Sequence, residues 1–87
     1  MKKNYLLESF IKLLLEKGGK ESKGKIKFYN KELEMRDIET QRKYEISSID
    51  RSDPNNMIFS LEAYDEDGRK FTIQKTQDEI LKDYNAA

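Results

Sequence analysis

The spacing of apolar positions changes twice along this chain of 87 residues. Apolar residues follow helical spacing near the N-terminus, alternate with polar residues through the middle, and return to helical spacing near the C-terminus. Helical spacing predicts a helix with one buried face, and alternation predicts a half-buried strand. The order predicts an α+β fold with an N-terminal helix, four to five short antiparallel strands forming a sheet or small barrel, and a short C-terminal helix, in a single domain over residues 1–87.

The first helix is predicted over residues 4–17. Glu8 and Lys12 lie four residues apart in the favourable order, and Gly18 follows Lys17 as a helix stop. The apolar residues cover an arc of roughly 200°, about twice the stripe of an ordinary surface helix. These residues are Leu6, Leu7, Phe10, Ile11, Leu13, Leu14 and Leu15.

Residues 18–25 contain no apolar side chain and include three glycines, so we expect a basic, flexible, water-exposed connection. Alternation then predicts strands at about 25–30 and 32–38. A competing interpretation places Asn30 at the N-cap of a short helix that ends at Glu39. The alternation favours strand. It is carried by Ile26, Phe28, Leu33 and Met35.

A third strand is predicted over 43–49, ending before the turn-rich segment around Pro54. If Met35 lies opposite Ile46, Arg36 lies opposite Glu45, and a cross-strand ion pair results.

The clearest alternation lies at 57–64 and 69–75, which predicts a hairpin. A two-residue loop would put Leu61 on the opposite face from Ile73, whereas a three-residue loop at 66–68 keeps the apolar faces together. Gly68 then occupies a left-handed position. The predicted register pairs Ala63 with Phe71 and Leu61 with Ile73.

The last helix is predicted over 77–84. Thr76 and Glu79 have the spacing of a capping box, in which each side chain satisfies the backbone N–H of the other. Ile80, Leu81 and Tyr84 offer one apolar stripe.

Charged residues make up 39% of the chain and the mean hydropathy is -0.97, yet the periodic apolar runs favour a folded protein. The net charge of zero hides a gradient. Residues 1–27 carry eight lysines against three glutamates, for a net charge of +5, and the remainder is acidic. This asymmetry indicates either an anion-facing segment or two attracting parts of one fold.

The sequence predicts no catalytic, cofactor or metal site, and we expect that the protein is not an enzyme. Without histidine or cysteine, the common nucleophilic and zinc sites cannot form. The segment 65–68 is acidic, but an EF-hand loop with its glycine at Gly68 would begin at Ala63, which has no ligand oxygen in its side chain. An ordinary acidic turn is therefore favoured.

Residues 1–3 are Met-Lys-Lys before a leucine-rich run, but charged residues interrupt the run and no small-residue cleavage site follows. No segment approaches the roughly 20 apolar residues of a bilayer span. We expect a cytoplasmic protein without membrane insertion.

The wide apolar arc of the first helix has two interpretations that the sequence leaves open. Either the sheet, the second helix and the loop around Pro54 bury it completely, or part of it binds a protein partner or a second copy of the chain. The expected function is therefore a non-catalytic protein-binding domain, a small accessory or inhibitory factor. Thirteen lysines against four arginines suit an AT-rich bacterial, phage or mobile-element gene. No small-molecule substrate is evident. The candidate interface residues are Leu6, Leu13 and Leu15 on the helix and Tyr29, Ile58 and Tyr64 on outward strand positions.

The alternative function is weak nucleic-acid binding without sequence preference. Lysines beside an aromatic residue neutralise phosphates without distinguishing bases. Overall neutrality and the acidic second half of the chain count against this function. The candidate residues are Lys17, Lys20, Lys23, Lys25 and Lys27.

Overall fold

In the computed structural model, which describes residues 5–17, 20–22, 24–28 and 33–86, two helices accompany one antiparallel sheet. The elements in chain order are α1 (Tyr5–Lys17), β1 (Lys20–Ser22), β2 (Lys25–Lys27), β3 (Glu34–Asp37), β4 (Lys43–Asp50), β5 (Ile58–Tyr64), β6 (Lys70–Thr76), α2 (Gln77–Asp83) and β7 (Tyr84–Ala86). The α+β class and the helix, strand, helix order are as predicted.

The long strand β4 lies at the centre of the sheet. One side of β4 pairs with β5, which in turn pairs with β6. The other side is shared, because β2 pairs with residues 48–50 and β3 pairs with residues 43–45. Strands β1 and β7 extend these two branches. Within the described residues β6 pairs only with β5, so the sheet is open and the small-barrel alternative is wrong.

A β-bulge at Ser47 explains how β4 buries residues at unequal spacing. The register shifts between Ile46 and Ser48, so that Ile46 pairs with Leu61 and Ile49 pairs with Phe59. Because directly paired residues share a face, Ile46 and Ile49 both face the core despite lying three positions apart.

The hydrophobic core lies between one face of the sheet and the two helices. It contains Leu33 and residues from α1, β3, β4, β5, α2 and β7, and half-buried residues of β6 pack against it. Its members are Leu7, Ile11, Leu14, Leu33, Met35, Tyr44, Ile46, Ile49, Phe59, Leu61, Ala63, Ile80 and Tyr84.

The predicted hairpin between β5 and β6 is confirmed. Ala63 pairs with Phe71 and Leu61 pairs with Ile73. The backbone N–H of Asp65 donates to the carbonyl of Arg69 at 2.9 Å, which leaves three residues in the loop, and Gly68 has a φ of 80°.

The capping box of α2 is also confirmed. The Thr76 hydroxyl accepts from the N–H of Glu79 at 3.3 Å, and the Glu79 carboxylate accepts from the N–H of Thr76 at 3.1 Å. The helix ends at Asp83, one residue before the predicted end, because Tyr84 adopts extended angles and begins β7. Strand β7 was not predicted, because its three residues carry no alternation and it forms by pairing with β3.

The prediction of a flexible connection over residues 18–25 was wrong for Lys20–Ser22, which form β1 and pair with β2. Gly24, with a φ of 82°, lies beside β2, and its carbonyl accepts from the N–H of Arg51 at 2.7 Å. The sequence carries no signal for β1, because a short polar strand has no apolar alternation and forms by backbone pairing with its neighbour.

The predicted register of β3 on β4 was wrong by two residues. Met35 pairs with Tyr44, and Arg36 pairs with Lys43 rather than with Glu45. The tight turn between these strands sets this register, with the N–H of Asp37 donating to the carbonyl of Arg42 at 2.9 Å. The ion pair predicted for Arg36 and Glu45 is replaced by a diagonal pair, in which the Lys43 ammonium lies 3.7 Å from the Glu34 carboxylate.

The observed β3 also decides part of the competition between strand and helix after Asn30. Residues 34–37 form a strand, as the alternation favoured. The proposed cap at Asn30 lies outside the described residues.

Candidate functional site

Helix α1 presents two apolar faces, only one of which is covered. Leu7, Ile11 and Leu14 follow one another at spacings of four and three, and all three are buried in the core. This spacing places them on one side of the helix, where they pack toward the sheet. Phe10 and Leu15 are partly buried and pack against the same core from its two margins, which leaves Leu6 and Leu13 as the exposed leucines of this helix.

The second face is exposed. Leu6 is 60% exposed and Leu13 is 57% exposed, with Phe10 half-buried between them. Spacings of four and three place Leu6, Phe10 and Leu13 in one line about 10 Å long, next to the buried face. We call these three residues the apolar stripe.

Polar residues border the apolar stripe on its outer side. Ser9, Lys12 and Glu16 are exposed there, and Tyr5, 69% exposed, stands among them near the helix start. An apolar line with a polar border on one side and the core on the other is typical of a surface that a partner covers. The roles of Tyr5 and Phe10 were not predicted, although the helical spacing that singled out Leu6 and Leu13 also includes Phe10.

Leu15, the third predicted helix residue of the interface, is placed differently. It is partly buried and packs against the core, about 180° around the helix from Leu6. The structure therefore brings Leu6 and Leu13 together but not Leu15.

The predicted contact residues of the sheet do not form one patch. Ile58 is half-buried and Tyr64 is 60% exposed, at opposite ends of β5 and about 20 Å apart. Ser60 and Glu62 separate them on the same face. Tyr29 lies outside the described residues.

The polar face of the sheet contains an open groove of about 490 Å³ near Tyr64. Its lining includes Phe28, Ser47 and five charged residues, which are Arg42, Lys43, Glu45, Glu62 and Lys70. The charges are partly compensated, because the Lys70 ammonium lies 3.2 Å from the Glu62 carboxylate. A wide groove lined by several charged residues does not resemble the enclosed apolar sites that bind small molecules.

The basic segment is partly described. Lys25 and Lys27 are exposed on β2, and backbone pairing places Lys20 opposite Lys27. Lys25 pairs with Asp50, whose pKa is lowered by hydrogen bonds from Ser52 and by the charge of Lys25. Lys17 ends α1, and Lys23 lies outside the described residues.

The acidic turn at 65–68 is held by hydrogen bonds between the Asp65 side chain and the backbone of the turn. The carboxylate of Asp65 accepts from the N–H of Asp67 at 2.9 Å and from the N–H of Arg69 at 2.8 Å. Among the residues that the structure describes, no group of three acidic side chains is arranged to hold a metal ion.

Tyr84 is a buried titratable residue whose pKa differs strongly from its ordinary value. Burial of the phenol raises its pKa to about 12, and the nearby Tyr44, Asp37, Asp83 and Glu79 act in the same direction. Its ring packs edge-on against Tyr44 with 5.4 Å between ring centroids. The Tyr84 phenol therefore stays neutral over the ordinary pH range, and its ring contributes to the packing of the core.

None of the described helices is long and apolar enough to cross a membrane. Comparison with protein-family models, with curated proteins and with solved structures found no match for this chain.

Proposed function

We propose that this protein is a non-catalytic binding domain that docks onto another protein through the apolar stripe of α1. The observation that carries the proposal is the adjacent exposure of Leu6 and Leu13 on a helix whose other apolar face is already buried. Single exposed apolar residues are common on protein surfaces, but an aligned group on a regular helix is typical of helix-mediated contacts.

The size of the stripe limits its affinity. Full burial of a leucine side chain contributes about 1.5 to 3 kcal/mol, and both leucines are already partly covered. A micromolar complex requires about 8 kcal/mol. The two leucines therefore supply less than half of that, and a tighter complex needs the neighbouring Tyr5 and Phe10 as further contacts.

The proposed role is that of a small accessory or inhibitory factor acting in the cytoplasm, encoded by a bacterial genome, a phage or a mobile element. Small size, the lysine-rich composition and a compact apolar contact surface support this role.

The experiment compares partner capture by matched variants. Tagged wild-type protein, a Leu6→Lys/Leu13→Lys double variant and an Asn55→Lys/Asn56→Lys double variant are used to capture proteins from the native host. Both variants add two positive charges at exposed positions, but only the first removes the apolar stripe. We expect a stoichiometric partner with the wild type and the control, and loss of that partner with the leucine variant.

Circular dichroism and thermal melting establish that both variants are folded. Capture of the same partner at the same yield by all three proteins would contradict the assignment of the stripe as the binding surface.

A second candidate function, weak nucleic-acid binding, is supported by the pairing of β1 with β2, which brings Lys20 opposite Lys27 and close to Lys25.

Binding to a mixed-sequence oligonucleotide that depends on phosphate contacts weakens steeply between roughly 50 mM and 200 mM salt. A Lys25→Gln/Lys27→Gln variant should bind less tightly than a Lys82→Gln/Lys43→Gln control. Equal, salt-independent binding by both would remove phosphate contacts as the cause.

A further inference from the structure

Strand β6 forms an edge of the sheet, and the direction of its backbone groups can be derived from two hydrogen bonds. In an antiparallel pair, alternate residues direct N–H and C=O toward the neighbouring strand. The bond from the N–H of Asp65 to the carbonyl of Arg69 shows that the odd-numbered residues of β6 face β5. Lys70, Thr72 and Gln74 therefore direct their backbone groups away from the sheet.

Thr76 confirms this orientation. It has the same parity as Thr72, and its N–H points away from β5 to the Glu79 carboxylate at 3.1 Å. The outward N–H of Thr76 is thus occupied by the capping box, and α2 begins at the next residue. The open part of the edge is limited to Lys70, Thr72 and Gln74.

These three residues are exposed, and the described part of the chain offers no hydrogen-bond partner to the N–H of Thr72 or Gln74. The strand contains no proline and pairs with β5 without a bulge over its full length. Proline, bulges and covering loops are usual means of blocking an edge strand, and lysine side chains are another. Among the described residues none of the first three blocks β6, and its two lysines, Lys70 and Lys75, each lie beside a carboxylate of the same chain. The backbone edge is therefore available to another strand.

We propose that β6 pairs antiparallel with β6 of a second copy of this chain, across a two-fold axis at Thr72. This arrangement pairs Thr72 with its own counterpart and Lys70 with the partner's Gln74. It continues the sheet from one copy into the other through Lys70, Thr72 and Gln74, whose backbone groups point away from β5.

The side chains of β6 favour this register. Thr72 at the centre brings Phe71 opposite the partner's Ile73 on the core side of the sheet, and both are half-buried in one copy. A two-fold axis at Ile73 would instead place Phe71 opposite Lys75 and would require the N–H of Thr76, which Glu79 already holds. The register at Thr72 joins apolar to apolar and leaves the capping box intact.

The charges on β6 favour a second copy over an acidic peptide. Lys70 lies 3.2 Å from Glu62, and Lys75 lies 3.8 Å from Glu79. Each lysine of the strand is already beside a carboxylate of its own chain, and no like charges within β6 lie directly opposite one another in the proposed register. At each end of the pairing, Arg69, which directly precedes β6, lies opposite the partner's Lys75, and the Glu79 carboxylate beside Lys75 offsets this like-charge pair.

The first experiment measures mass against concentration by sedimentation equilibrium. A single strand pair buries less area than a typical stable interface, so we expect a reversible change from 10.3 kDa to twice that mass as concentration rises. Thr72→Pro removes the central N–H and adds a ring at the edge, where proline is tolerated within a monomer. We expect Thr72→Pro to raise the dimer dissociation constant at least ten-fold, and Thr72→Ala, which keeps the N–H, to change it less than three-fold.

The second experiment does not depend on how well the proline variant folds. The chain contains no cysteine, so a single introduced cysteine can only cross-link two copies. In the proposed register the Thr72 Cα atoms lie about 5.5 Å apart, which suits a disulfide, whereas the two Gln74 Cα atoms lie roughly 13 Å apart. Under the same oxidant, Thr72→Cys should cross-link at least ten times faster than Gln74→Cys.

The outcomes separate the alternatives. A dimer that Thr72→Pro weakens, with selective cross-linking of Thr72→Cys, supports the proposal. A chain that is monomeric at every concentration, or equal cross-linking of the two cysteine variants, overturns it. A dimer that is lost in the Leu6→Lys/Leu13→Lys variant but retained in Thr72→Pro overturns it and assigns self-association to α1.

Discussion

Aspartates of this protein organise turns. Asp37 accepts from the N–H groups of Glu39 and Thr40, Asp50 accepts from Ser52, and Asp53 accepts from Asn55. A short carboxylate that accepts backbone N–H groups two or three residues ahead replaces the hydrogen bonds that a turn leaves unmade. These three aspartates, like Asp65, thus accept hydrogen bonds that hold the connections between strands.

Tyr84 is the single residue with the clearest link between burial and pH. Its pKa is raised from 10.0 to about 12, because the buried phenolate is less stable than the neutral phenol. The contribution of Tyr84 to stability is therefore complete below pH 10 and is lost as pH rises toward 12. A shift of this size corresponds to about 2 to 3 kcal/mol at most.

We predict that the wild type loses more of its free energy of unfolding between pH 10 and pH 12 than Tyr84→Phe does. The phenylalanine variant keeps the ring but has no group to ionise. Urea unfolding at a series of pH values measures the difference, and Tyr64→Phe, at an exposed position, serves as the control that should follow the wild type. Parallel curves for the wild type and Tyr84→Phe would show that this phenol does not control alkaline unfolding.

At the scale of elements, α1 combines a structural face with a free face. The wide apolar arc was visible in the sequence, and it predicted that some leucines would lack cover. The pattern did not decide which leucines these would be. That depends on the rotation of α1 about its own axis as it packs on the sheet, which the spacing of apolar residues leaves open. The packing decides that Leu14 is buried and Leu13 is exposed.

We predict that alanine substitutions at these adjacent positions have very different effects. Leu14→Ala should lower the free energy of unfolding by about 2 to 5 kcal/mol, because it leaves a cavity in the core. Leu13→Ala should lower it by less than about 1 kcal/mol, because that side chain is mostly in water. Chemical denaturation of the two variants measures both values. Equal losses would mean that α1 packs on the sheet with a different face from the one that contains Leu14.

The strands divide into those that the sequence could predict and those that it could not. Strands β5 and β6 alternate clearly, and the requirement to keep their apolar faces together determined the loop length and the register. Strands β1 and β7 have three residues each and no alternation, so pairing with a neighbour creates them. The register of β3 on β4 failed because a turn of few residues, rather than the apolar pattern, sets it.

At the scale of the whole molecule, one core joins both ends of the chain. Leu7 and Ile11 from α1 belong to the same cluster as Ile80 from α2 and Tyr84 from β7. A domain of this size has little excess stability, and a core shared by all its parts favours loss of structure in one step.

We predict a single unfolding transition. Far-ultraviolet circular dichroism, which follows the helices and the sheet, should give the same urea midpoint as near-ultraviolet circular dichroism, which follows the packed tyrosines. Tyr84→Ala should lower both midpoints together, whereas the exposed Lys82→Ala should leave both nearly unchanged. A helical signal that disappears at lower urea than the tyrosine signal would show that α1 is stabilised separately from the sheet.

The sequence by itself determined the α+β class, the two helices, the β5–β6 register and the capping box of α2. Each of these depends on residues that are close in the chain, where spacing and local hydrogen bonds are sufficient. Tertiary structure alone decided that the sheet stays open, that a bulge at Ser47 turns Ile49 toward the core, and which face of α1 remains exposed. These features depend on contacts between segments that are distant in the chain. The local pattern of apolar and polar residues is compatible with several such arrangements, and packing selects one of them.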